Sequence, residues 1–396
     1  MRNLLKLIIV LILSSCSFST HIKISVSGYA KTSVNAVIFR NAITSNDKYQ
    51  CAAFYDSAEF VNIAVRKLNS DFFYVKKINL HGNAKDAHNS ISIFIDKEDC
   101  LHLCYNQHNN PLNYYTSKCD SLNFLKKNMI GNENNVTYPQ FYSYKDGILF
   151  FYRSAGNTLV INKYDYVNHL WSRLQDNILQ NAYWQSCIKN DTIYLSWCWR
   201  DNSDVSSNND VCFAKSADGR IWYKSNNDQH KLPITKESAE CLVKIPKNSG
   251  LINQTSMAVD SKNNVYIATY FNSDYYLIYY DTIWKIKQII KNKKFSLTGI
   301  GTKSVPISRP LILISEKDEL YFIYRDSGNL FIAKKNKKFE TKITIDSVGY
   351  YEPVYDKELW LYDNKLHLFI QCVGQGDNET LDTLNAQKVE ILEINL

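Results

Sequence analysis

Two stretches of the chain carry reactive side chains in a setting otherwise made of alternating strand residues. The first runs Asp86-Ala-His-Asn-Ser-Ile-Ser-Ile93 and resumes as Tyr105-Asn-Gln-His-Asn-Asn-Pro-Leu112. The second is Val136-Thr-Tyr-Pro-Gln-Phe141 followed by Phe151-Tyr-Arg-Ser154. Within them stand two imidazoles (His88, His108), a phenol (Tyr138) and a guanidinium (Arg153). Imidazoles and phenols move protons to and from a substrate, and a guanidinium meets a carboxylate through two parallel hydrogen bonds. Such a set suits proton transfer on an anionic substrate. A lone histidine in a chain of this kind is more often a satisfied structural group, as His102 and His367 within strand runs are expected to be. The four groups therefore count only if the fold gathers them.

The elements that must do so repeat along the chain. Seven aromatic-rich segments follow turn signals: Cys51–Tyr55, Leu101–Tyr105, Ile148–Tyr152, Ile193–Trp197, Tyr266–Tyr270, Tyr321–Tyr324 and Leu366–Ile370. Most recur at roughly 50 residues, which is the length of one four-stranded propeller blade. A second alternating run follows each, for example Thr158–Asn162 or Tyr275–Tyr279, which is a meander pattern. Composition agrees, because 28 Tyr, 18 Phe and 7 Trp against 3 Met favour pleated surfaces. No amphipathic helices alternate with the strands, so a parallel α/β sheet is excluded.

The predicted fold is all-β, a seven-bladed β-propeller of four-stranded antiparallel blades. His21–Val26 is expected to add the outer strand of the last blade, which ends at Val389–Ile394, since an unclosed ring leaves two bare sheet edges. We take the repeated strand as the innermost, so that the residue after it faces the channel. Those residues are Asp56, Asn106, Arg153, Cys198, Phe271, Arg325 and Gln371, and their polarity puts the site near the second and third blades. Lys215-Ser-Ala-Asp-Gly-Arg-Ile-Trp222 resembles the Asp-box turn of sialidase-like propellers, one residue short, and reads as a tight structural turn pinned by a buried Trp.

Length and composition set the class. The 396 residues are 45% hydrophobic and 21% charged, with 13 Gly and 7 Pro, which excludes disorder, collagen and coiled coil. A net charge of +7 from scattered lysines tolerates a polyanion but does not form a nucleic-acid-binding face. Arg2 and Lys6, the apolar run Leu7–Leu13 and Leu13-Ser-Ser-Cys16 resemble a bacterial lipoprotein signal. The expected organisation is a signal peptide over 1–15, a tether over 16–21 from lipidated Cys16, and the propeller over 22–396. The expected location is the cell envelope, at the outer membrane or cell surface, with membrane contact only through lipid, and the expected state is a monomer. Nine cysteines remain, an odd number at irregular spacing; Cys198 and Cys212 flank a loop and are candidates to face each other. Without a CxxC pair or Cys/His cluster no metal is expected. Without GxGxxG, Walker or GxSxG motifs neither nucleotide cofactors nor acyl transfer is supported, and no cofactor is expected.

Taken together, the motifs resemble the BNR-repeat family that includes the β-propeller ulvan lyases. The resemblance rests on Ala53-Phe-Tyr-Asp56, Asp86-Ala-His-Asn89 with Ser92-Ile93, His108-Asn-Asn-Pro-Leu112 with Tyr114, and Val136-Thr-Tyr-Pro139. It continues through Tyr152-Arg-Ser154, Trp197-Cys-Trp-Arg200 with Asn209-Asp210, and Gly250-Leu-Ile-Asn-Gln254 with Val259-Asp260. It implies a polysaccharide lyase that cleaves a uronic-acid-containing polymer by β-elimination, with His88, His108, Tyr138 and Arg153 at the catalytic positions. Arg153, helped by His108, would neutralise the uronate carboxylate, while Tyr138 and His88 would transfer protons. Asn89, Asn106, Arg200, Asn253 and Gln254 are candidate sugar contacts. Gln107 and Asn113 stand where relatives often carry His, which bears on the substrate subclass. Two other readings use the same fold: a glycan-binding lipoprotein without chemistry, and a sialidase-like hydrolase. The hydrolase is disfavoured because arginine is sparse among the expected channel positions.

Overall fold

The computed structural model describes residues 20–28, 33–35, 41–180, 183–301, 303, 305–345, 352–372 and 385–396. The expected signal sequence and Cys16 lie outside them. Seven antiparallel sheets form the ring, a seven-bladed β-propeller. Each sheet has four strands, and the third carries a short fifth. Closure follows the expectation: Thr20–Ser27 pairs antiparallel with Lys388–Ile394, His21 opposite Leu392, so the last blade takes its outer strand from the other end of the chain. That strand starts at Thr20, inside the stretch read as tether, because its pairing runs on to Glu393.

The repeated aromatic segments prove to be the second strand of each blade, not the innermost. Innermost are the preceding strands, such as Ile43–Ser45, Ser92–Ile95 and Ser256–Val259, which lie against their counterparts in neighbouring blades. The reason is packing. A second strand has a neighbour on both edges and a blade on both faces, so Gly147–Arg153 and Leu366–Gln371 are buried along their whole length and read as strong apolar signals. The inner strands are short, and several are only 3 or 4 residues. First and second strands run antiparallel, so the start of one and the end of the other lie at the same mouth of the ring. That mouth therefore collects residues from both.

At the opposite mouth the turns are fixed by carboxylates. Asp96 Oδ1 accepts from the amides of Glu98 and Cys100, and Asp260 Oδ1 from those of Lys262 and Asn264. The Asp-box-like turn behaves as expected: Asp218 Oδ1 accepts from the amides of Arg220 (2.8 Å) and Ile221 (2.9 Å), Gly219 takes φ +72°, and Trp222 is fully buried. The one α-helix among the described residues, Lys357–Asp363, sits in the last blade and is capped by Asp356, which accepts from the Leu359 amide. Cys198 and Cys212 do not meet. Cys212 lies opposite Trp197, one residue before Cys198, and alternation along the strand sends the two cysteines to different hydrophobic clusters.

Candidate functional site

His88 is held by its own loop. Asp86 caps the short 3-10 turn Ala87–Asn89, and its Oδ1 accepts both the His88 amide (2.9 Å) and His88 Nδ1 (2.7 Å). His108 reaches the same carboxylate from another element. Between two strands of the second blade the chain makes an excursion, His108–Asn110, that pairs with the inner strand of the third blade, His108 opposite Thr137. Buried Gln107 shapes this excursion by donating to Asn110 Oδ1 (3.1 Å) and the Pro111 carbonyl (3.2 Å) while accepting from the Asn113 amide (2.6 Å). His108 Nδ1 then lies 2.6 Å from Asp86 Oδ2, and the two imidazoles stack with centroids 4.0 Å apart and planes at 12°.

Tyr138 and Arg153 come from adjacent strands of the third blade. Thr137 pairs with Arg153, and a bulge separates that pair from the next, at Gln140. The bulge gives Tyr138 φ +60°, a left-handed conformation that a non-glycine residue adopts rarely and chiefly where tertiary structure enforces it. Its ring lies 5.7 Å from that of His88. The Arg153 guanidinium sits over the same ring at 4.6 Å and near Tyr183 at 5.4 Å. Arg153 is only 5% exposed, yet among the described residues no carboxylate pairs with it and its Nε has no hydrogen-bond partner.

These groups open on one cavity of about 270 Å³ at the mouth of the ring. His88, His108, Tyr138, Arg153, Arg200, Asn253 and Gln254 all line it. Asn89 and Asn106 do not. The first donates to the Asn83 carbonyl (3.0 Å) and the second accepts from the Asn83 amide (2.8 Å), so both hold the loop that carries His88. Tyr55 completes this support by donating to the Asn89 carbonyl at 2.7 Å.

Several lining residues escaped the sequence reading: Tyr183, Tyr270, Lys303, Arg309 and Glu352. Arginine is thus not sparse at the mouth. Arg153, Arg200, Arg309 and Arg325 all reach it, three of them already engaged. Arg309 Nη1 pairs with Glu352 at 2.7 Å, Arg325 donates to the carbonyls of Pro306 and Val305, and Arg200 donates to those of Asn202 and Ser203. Arg309 and Glu352 were missed because each stands just before an innermost strand, the position that Gln254 also occupies. Among the described residues, buried lining atoms without hydrogen-bond partners include Gln254 Nε2, Asn208 Oδ1 and the Tyr270 hydroxyl.

Asp86 is the other omission, quoted as part of a motif but given no task. Burial pushes its carboxyl upward, but hydrogen bonds from His108 and His88 outweigh this and hold it well below the usual carboxylate range. An ionised carboxylate only accepts, so both rings carry hydrogen on Nδ1 and a neutral ring has its lone pair on Nε2. Asp86, His88 and His108 present donor atoms within 4.8 Å of one another, as do Asp96, Cys100 and His102. In both groups an imidazole nitrogen already shares a proton with the carboxylate, so a divalent cation would replace that bond.

The profile described as BNR repeat-containing family member matches residues 49–293, more than half of the chain. The chain belongs to this family. The fold is similar to two solved structures of a polysaccharide lyase, a PL25 ulvan lyase. One, bound to -[GlcA(1-4)Rha3S]-, shows 11% identity over 94% of this chain and 96% of that one, with a TM-score of 0.68. The other shows 10% identity over the same shares, with a TM-score of 0.65. The BP39L lectin from Burkholderia pseudomallei covers 87% of this chain and 95% of its own at 10% identity and a TM-score of 0.49. At these identities the likeness establishes the fold alone. Comparison with curated proteins returns no match.

Proposed function

We propose that the protein is a lyase that cleaves a uronic-acid-containing, ulvan-like polysaccharide by β-elimination. The observation that carries the reading is Arg153: a guanidinium 5% exposed, with no carboxylate partner among the described residues, opening on a cavity beside two histidines and a tyrosine. A buried cation without a counter-ion is costly to hold, and an incoming carboxylate removes that cost. In this pose the uronate carboxylate meets Arg153, and the charge that develops on it as the adjacent carbon loses its proton is stabilised where it forms.

The elimination needs a base for that proton and an acid for the departing glycosidic oxygen. The C–H bond gives up its pair to a new carbon–carbon double bond, and the C–O bond to the leaving oxygen, which takes a proton. Asp86 prepares the imidazoles: with hydrogen on Nδ1, a neutral His88 carries its lone pair on Nε2. The two rings stack at 4.0 Å and both donate to this single carboxylate, which fixes their orientation. His108 assists Arg153 at the carboxylate, while His88 and Tyr138 handle the protons. The compartment follows the N-terminal sequence, with the enzyme exported and held by lipid on Cys16.

The assay is the rise in ultraviolet absorbance from unsaturated uronate when the purified protein meets ulvan and a panel of other acidic polysaccharides. Tyr138→Phe and His88→Ala should abolish the signal. If no acidic polymer yields it, the lyase reading fails. Oligosaccharide binding without turnover, unaffected by Tyr138→Phe, would instead make the protein a glycan-binding propeller.

A further inference from the structure

On the fourth blade, away from the cavity, Cys212 and Cys241 face each other across the last two strands. Cys212 lies in Asn208–Ser216 and Cys241 in the outer strand Glu240–Val243, and the register makes them direct antiparallel partners. Such partners have Cα atoms about 4.5–5.5 Å apart, inside the roughly 4.4–6.8 Å window that a disulfide spans. Side chains of such directly paired residues project from the same face of the sheet. Cys212 is 1% exposed, whereas Cys241 is open to solvent.

We propose that these two cysteines form a disulfide when the protein meets an oxidising disulfide, tying the outer strand of the fourth blade to its neighbour. The outer strand is an edge with one partner strand, and the chain between the two cysteines leaves the sheet through the Asp218-Gly219 turn before returning at Glu240. The cross-link closes that excursion at its base. Its other anchors are non-covalent: Glu240 accepts from the Ser225 amide at 2.7 Å and from Trp284 Nε1 at 3.4 Å.

The chemistry balances with a low-molecular-weight disulfide such as oxidised glutathione. The Cys241 thiolate attacks one glutathione sulfur, forming a mixed disulfide and expelling a glutathione thiolate, which takes up the proton lost from Cys241. Cys212 then loses its proton and attacks Cys241 Sγ, and the second glutathione leaves as thiol. Two electrons pass from the cysteine pair to the oxidant. The facing Cys212 thiol holds the Cys241 thiol below its ordinary range, and its exposure lets it act as the attacking thiolate. Cys51 and Cys119 make a contrasting pair: their sulfurs are 3.9 Å apart, but both residues are buried and neither offers a first nucleophile in the folded protein.

The test uses the full chain, purified with reductant, treated with oxidised glutathione and then alkylated for peptide mapping. The expected result is one cross-linked peptide joining residues 212 and 241, lost on treatment with dithiothreitol, with the remaining thiols still alkylated. Cys212→Ser, or Cys212→Ala should the first fold poorly, should stop at a stable glutathione adduct on Cys241. Wild-type protein that stops at the same adduct, that links other cysteines, or that leaves both thiols free to alkylate would overturn the proposal.

Discussion

Replacing Asp86 by asparagine tests whether the shared carboxylate organises the site. Asp86 accepts three hydrogen bonds, from the amide and Nδ1 of His88 on one oxygen and from His108 Nδ1 on the other. An amide has a single acceptor oxygen, so whichever way it turns, its NH₂ confronts an Nδ1–H. At least one ring must then give up its bond or move its proton to Nε2, the nitrogen needed toward the substrate. A hydrogen bond to a charged group contributes about 1.5–3 kcal/mol, which corresponds to a fall of roughly 10- to 150-fold in kcat/KM. The change is isosteric, so the far-ultraviolet circular dichroism spectrum and cooperative melting should persist. The assay is initial rate of unsaturated-uronate formation with the polymer on which wild type is active. A variant with kcat/KM within about twofold of wild type, alongside an inactive His88→Ala, would show that the imidazoles work without the carboxylate.

Other consequences can be checked as directly. Arg153→Lys keeps the charge but loses the two-pronged contact, and kcat/KM should fall about 10- to 150-fold. Arg153→Met should abolish uronate binding while leaving the melting temperature equal or higher, because a buried cation without a carboxylate partner is removed; a marked loss of stability would mean that the guanidinium serves the fold. Glu358 is pushed up to about 7 from 4.5, chiefly by burial, with the Ser143 hydroxyl donating to it at 2.7 Å. The folded state therefore keeps a proton that the unfolded chain releases. The stability linked to it is complete below about pH 4.5 and is lost as pH rises to about 7. Glu358→Gln should thus stabilise by an amount that grows over this interval to at most about 3 kcal/mol, read from chemical denaturation at pH 5 and pH 8; an equal effect at both would refute it. Gly219→Ala should lower stability by about 1–2 kcal/mol, since φ is +72° and the added Cβ would stand 2.6 Å from Leu174 Cδ2; denaturant melts read this.

Local pattern determined much of this protein. Alternation and recurrence disclosed seven blades, because each second strand is enclosed on all sides and must be apolar whatever its neighbours are. The pairing of the chain's two ends was legible for a related reason, since an open ring exposes unpaired backbone. His88, His108, Tyr138 and Arg153 stood out by type and setting, and they do share one cavity.

What tertiary structure alone decided is how those groups are joined. The assignment of layers was off by one strand, because strength of apolar signal reports enclosure and not distance from the axis. Asn89 and Asn106 have the chemistry of sugar ligands, but the fold spends their hydrogen bonds on Asn83. Asp86 meets His108 only because an excursion of the second blade adds a strand to the third. Arg309 and Glu352 are 43 residues apart and become partners where two blades meet. Whether a polar side chain is free for a ligand depends on which neighbour satisfies it first, and in a ring of sheets that neighbour usually lies on another blade, at a separation no local pattern records.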